Sequence, residues 1–160
     1  MTILIAVAAV FFFFGGYFNV AANASDPNFV NWALVKVRKA SIDHRASATS
    51  PLNLDDIAIV RAGARAFSQR GCWNCHGAPG LNWQKFSESL NPDPPDLKEI
   101  AHEREARQLF WVIKNGIKMT GMPSFGAIGA DDREIWSIVA FVKKLPNVSN
   151  SDYEAWTASP

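Results

Sequence analysis

Hydrophobic positions along this chain fall into one unbroken block followed by stretches of helical period. Ile3 through Phe18 carries no charge and contains the run Phe11, Phe12, Phe13 and Phe14, with Gly15 and Gly16 as its only interruption before Asn19. Extended to Ala22, the block amounts to about 20 residues, or roughly 30 Å as a helix, which matches the apolar thickness of a bilayer. Downstream, Phe29, Trp32, Ala33, Val37 and Ala40 recur at helical spacing behind the start signal Ser25-Asp26-Pro27. Asp55 or Asp56 opens a second such stretch that runs to about Gln69, with Ile59, Gly63, Ala66, Phe67 and Arg70 along one stripe. Glu103 to Asn115 predicts a helix with Ala106, Leu109, Phe110 and Ile113 inward and Gly116 as its C-terminal cap. Asp131 to Lys144 predicts the last, apolar at Ile135, Trp136, Ile138, Val139, Phe141 and Val142 and ended by Pro146. No strand-like alternation appears, so the fold class is all-α.

This pattern divides the chain into residues 1–22 as a transmembrane anchor or signal peptide, 23–54 as a juxtamembrane basic helix and linker, a domain over 55–147, and a polar C-terminal tail over 148–160. A cleaved secretory signal competes for the first segment, because Ala22-Asn23-Ala24 resembles a cleavage site. The absence of Lys and Arg ahead of the apolar block favours a retained anchor. Lys36, Arg38, Lys39 and Arg45 make the second segment basic. A helix of that composition can lie along lipid, dock on a partner subunit or pack on its own domain, and composition does not separate these. Tyr153 and Trp156 are the possible anchor points of an otherwise loosely attached tail. Net charge is +1 over 160 residues, which gives no global field for nucleic acid.

The chemistry lies in Cys72-Trp73-Asn74-Cys75-His76, which uses both cysteines of the chain. Two thiols at this spacing can each add across one vinyl group of a porphyrin, and the adjacent imidazole then serves as proximal iron ligand. A thioredoxin-like redox pair needs a βαβ context that is missing. A zinc site needs further ligands at short spacing, where only His44 and His102 remain. One covalent haem c is therefore expected, because no second such motif exists. An electron carrier needs a sixth ligand, and Met122 in Gly121-Met122-Pro123 is the candidate, stiffened by the following proline, with Met119 as competitor. If Met122 does not bind, the alternative is an open-site haem enzyme or sensor, with His102 or Arg104 as distal groups.

Cys72 to Gly77, Pro95-Asp96-Leu97, Asn115-Gly116-Ile117, Gly121-Met122-Pro123-Ser124-Phe125-Gly126 and the terminal helix with Trp136 together resemble a class I monohaem c-type cytochrome. The resemblance is to the membrane-anchored bacterial type seen in cbb3-oxidase cytochrome subunits, and it covers residues 55–147. It implies a class I cytochrome c fold, here behind an N-terminal transmembrane helix. It places the Pro95 carbonyl on the proximal imidazole, and Gly63 with Phe67 against Trp136 and Ala140 where the first and last helices cross. The implied role is one-electron transfer by His76 and Met122 on a covalent haem, with no small-molecule substrate. Partners would be redox proteins or subunits of a respiratory or photosynthetic membrane complex, or the chain would be a free-standing tethered shuttle. Covalent haem attachment takes place on the outer face of the inner membrane, so the domain is expected in the periplasm. Trp73, Pro79 and Met122-Pro123 are expected around the exposed haem edge.

Overall fold

The computed structural model describes residues 2–158, whose regular elements are all helices apart from one isolated bridge between Ala78 and Leu81. Met1, Ser159 and Pro160, at the ends of the first and last expected segments, lie outside the described residues. Among the described residues eight α-helices follow in order: α1 Thr2–Phe14, α2 Asn28–Arg45, α3 Ile57–Gln69, α4 Trp73–His76, α5 Leu97–Ile100, α6 Ala106–Asn115, α7 Asp132–Lys144 and α8 Asn150–Thr157. Short 3₁₀ turns occupy Lys85–Ser89 and Leu145–Asn147.

The domain is organised around α7. Every residue from Ile135 to Val142 is buried, as expected of a helix covered on all sides. Its start is capped by Asp131, whose carboxylate accepts from the Glu134 backbone N–H at 2.8 Å. Acidic Asp132 and Glu134 stand at its N-terminus and Lys143 and Lys144 at its end, each sign complementing the helix dipole. Asp56 caps α3 in the same way, accepting from the Ala58 N–H at 2.8 Å. Helix α6 starts at Ala106 behind Glu105, which forms a capping box with Gln108, so the expected start at Glu103 moves inward.

Helices α3 and α7 cross at Gly63, where a Cβ would overlap the Ser137 backbone carbonyl and press on Phe141 at 3.0 Å. Phe67 then meets Phe141 edge-on, ring centroids 5.2 Å apart. The expected partners Trp136 and Ala140 are one position off. Residues 137 and 141 face α3, while Trp136 stacks flat on Phe110 of α6 at 4.2 Å. A shift of one residue turns a helix face by about 100°, and Trp136 thereby packs α6 instead of α3.

Two further expectations change. The N-terminal helix is 13 residues long and ends at Phe14, because Gly15-Gly16 breaks it and Gly16 takes a φ of 80°. At about 20 Å it falls short of a bilayer core; no described helix is long and apolar enough to cross a membrane. The loose attachment open to the tail gives way to docking at Tyr153, one of its two possible anchor points: Ser149 caps α8, and the buried Tyr153 lays its ring on Phe141 at 5.7 Å. Trp156 lies under the Arg61 guanidinium of α3, 5.8 Å from ring to cation. Helix α2 begins behind Pro27 with no side-chain cap from Ser25 or Asp26. Its C-terminal end packs on α6 through buried Ile42 and a 2.6 Å bond from Gln108 Nε2 to Asp43.

Candidate functional site

Helix α4 is a single turn made of the motif itself. It leaves α3 through Arg70 and Gly71, the latter in the left-handed region at φ 71°. Backbone N–H groups of Cys75 and His76 both reach the Cys72 carbonyl, at 3.3 and 3.1 Å, so both thiols and the imidazole are held within one turn. Both cysteines are half-buried. Burial pushes the Cys72 thiol up to about 12, and the Cys75 thiol also upward.

His76 is oriented from outside its helix. Its Nδ1 lies 2.8 Å from the Pro95 carbonyl oxygen. A proline carbonyl can only accept, so Nδ1 carries the proton and the Nε2 lone pair is left free. Burial holds the imidazole below its ordinary range, against the opposing Pro95 bond and the charge of Asp96. A neutral ring with a bare Nε2 is the form a metal requires. Pro95 is itself anchored: Asp96 caps α5 by accepting from the Lys98 N–H at 2.8 Å, and Lys143 of α7 donates to the carbonyls of Ala101 and Arg104 at 2.6 and 3.0 Å. A cleft of about 250 Å³ opens beside His76, bordered by Gly77, Leu81, Trp83, Asp96 and Leu145. A larger surface hollow between Arg65, Arg70 and Glu134 holds none of these residues.

The loop after α6 separates the two candidate methionines. Thr120 Oγ1 donates to the Ile117 carbonyl at 2.8 Å and accepts from the Met122 N–H at 3.1 Å, while Ile117 N–H reaches the Met122 carbonyl at 3.2 Å. Ser124 Oγ ties the loop's far side to the Lys114 carbonyl at 2.8 Å. Gly116, at φ 67°, leaves room for this closure: a Cβ there would stand 2.7 Å from Pro123 and 2.8 Å from the Met122 carbonyl. Met122 is half-buried against the core, whereas Met119 is 91 % exposed. Of the residues expected at an exposed edge, Trp73 and Met122 are half-buried and Pro123 exposed, but Pro79 is fully buried and cannot take that place. His102 is exposed on the surface.

Arg70 was read only as part of the α3 stripe, yet it joins the motif to the rest of the site. Its guanidinium makes a two-pronged pair with Glu134 of α7, at 2.7 and 2.8 Å, and reaches the Ile128 and Gly129 carbonyls of the loop following Met122. Its position directly before the motif was the available signal; the partner, 64 residues away, was not visible in sequence.

Two half-buried thiols, an oriented imidazole and a latched thioether loop on an all-helical frame suit a covalently held haem, and they define a c-type cytochrome domain. Residues 58–142 match the family model described as cytochrome c oxidase, cbb3-type, subunit III. That match spans more than half of the chain, which belongs to this family and accordingly carries covalently bound haem c. No curated protein and no solved structure matches it.

Proposed function

We propose that this protein transfers single electrons through one haem ligated by His76 and Met122 and bonded to Cys72 and Cys75. The observation that carries the reading is the 2.8 Å contact between His76 Nδ1 and Pro95, which presents a neutral imidazole through Nε2. When bound, the haem supplies a one-electron ferric–ferrous couple. His76 and Pro95 fix the ring plane, and the Pro95 hydrogen bond makes Nε2 a stronger donor. The Thr120 latch and Pro123 hold Met122 so that its sulfur reorganises little between charge states. Met122 in that position leaves no open site for substrate, which favours a carrier over an enzyme. A soft thioether favours the reduced state and raises the potential relative to a second imidazole.

The docking of a redox partner is expected to be mostly apolar and mildly salt-dependent, given the net charge of +1. We place the domain on the periplasmic face of the inner membrane, attached through the apolar residues of α1 and its continuation to Ala22. All of α1 is exposed on the domain's outside, as a segment that meets lipid would be. The family description and the two added N-terminal helices favour a subunit of a membrane electron-transfer complex over a free tethered shuttle.

The test is the absorption spectrum of the holoprotein. Wild type should show a low-spin six-coordinate haem with the weak methionine–ferric charge-transfer band, and Met122→Ala should lose that band and lower the midpoint potential. A Met122→Ala protein with an unchanged spectrum overturns the ligand assignment. Purification in mild detergent separates subunit from shuttle, since a lone species built on the 17.6 kDa polypeptide sinks the subunit reading.

A further inference from the structure

Helix α2 has two faces with different fates. Near its C-terminus, Ile42 and Asp43 bind it to α6. Along the rest of the helix Phe29, Ala33, Val37 and Ala40 recur at helical spacing in one stripe with Trp32 at its edge, while Leu34 and Val35 are exposed outside it. The large residues of this stripe are exposed, Phe29 at 73 %, Trp32 at 64 % and Val37 at 67 %, with Ala33 half-buried between them. Two large aromatics and a valine left in water along one helix mark an interaction surface. Its surroundings identify the occupant. Lys36 and Lys39 rise within and beside the stripe, Arg38 and Arg45 add two further cations, and Asp43 is the helix's only acid. Immediately upstream, the exposed Val20, Tyr17 and α1 continue the apolar surface, so α2 is the first charged helix after a fully apolar segment.

We propose that α2 lies on the surface of an anionic bilayer, with Phe29, Trp32 and Val37 in the headgroup–acyl boundary and Lys36 and Lys39 on lipid phosphates. This rests on the membrane attachment proposed above and adds orientation to it. The Ile42–Gln108 end couples the lipid-bound helix to the domain, so the haem domain is held at a set angle on the membrane instead of swinging on a free linker. Aromatic side chains enter the interface, and lysine stems reach outward to the phosphates.

Holoprotein allows a direct test, because the native cysteines are consumed by haem and an introduced thiol is unique. Phe29→Cys and Asn31→Cys place thiols on opposite sides of α2, both at exposed positions. On vesicles of equal parts phosphatidylcholine and phosphatidylglycerol, Phe29→Cys should lose most of its labelling by a bulky water-soluble maleimide while Asn31→Cys keeps it. Adding Lys36→Glu and Lys39→Glu should restore labelling at position 29. If both thiols react freely although the protein sediments with vesicles, the proposal fails and attachment through α1 survives. If both are protected, α2 is inserted and does not lie flat, which also overturns it. Equal protection of position 29 on pure phosphatidylcholine overturns the role of the lysines. Failure to sediment with either vesicle removes the attachment reading as well.

Discussion

Replacing Gly63 by alanine tests the packing that brings the two ends of the domain together. On helix propensity alone the change should stabilise α3 by about 1 kcal/mol. Tertiary packing opposes it, because the added methyl falls on the Ser137 backbone carbonyl and 3.0 Å from Phe141 Cβ. A backbone carbonyl in a fully buried helix cannot swing aside as a side-chain tip would, so α3 and α7 must separate. Overpacking of this kind costs about 3 kcal/mol at the upper end of its usual range. The net expectation is a loss of about 2 kcal/mol, or on the order of 10 °C in melting temperature for a domain of this size. Guanidinium unfolding of the ferric holoprotein, followed by far-UV circular dichroism and haem absorbance, measures it. Arg65→Ala, at an exposed position on the same helix, should change stability by less than about 0.5 kcal/mol. A Gly63→Ala protein as stable as its parent would refute the close-crossing argument.

Thr120→Val removes both hydrogen bonds that latch the methionine loop. It should cost about 1–2 kcal/mol, and the charge-transfer band should bleach at a lower temperature than global unfolding. Arg70→Ala breaks the two-pronged pair with Glu134 and frees the loop at Ile128, for a loss of about 1–2 kcal/mol measured by chemical denaturation. Tyr153→Phe should be neutral or slightly stabilising, because the buried hydroxyl has no hydrogen-bond partner and Ser68 lies near it outside bonding geometry; a loss above about 1 kcal/mol would show that Ser68 or water satisfies it.

How the parts of this protein became legible follows from the range of the forces involved. Helices α3, α6 and α7 could be read within one to three residues, because apolar period, capping aspartates and the glycine stop after Asn115 are all local. The thiol–thiol–imidazole run was equally local, since its chemistry needs three side chains within one turn. Choosing Met122 over Met119 was local as well, through the adjacent proline. The Pro95 contact came from likeness to a family and not from spacing.

What the residues alone left open depended on long-range contact. Trp136 could face either of two helices until packing assigned it to Phe110. The polar tail became a docked helix only because Tyr153 found Phe141. The apolar N-terminus counted as one span by hydropathy, yet two glycines ended its helix at Phe14. Arg70 acquired its role only when the fold brought Glu134 and the Ile128 loop to it. The motif's own chemistry is a property of neighbouring residues and was set by the sequence. The orientation of its imidazole, the closure of its methionine loop and the helix crossing behind it are properties of distant residues, and the tertiary structure decided them.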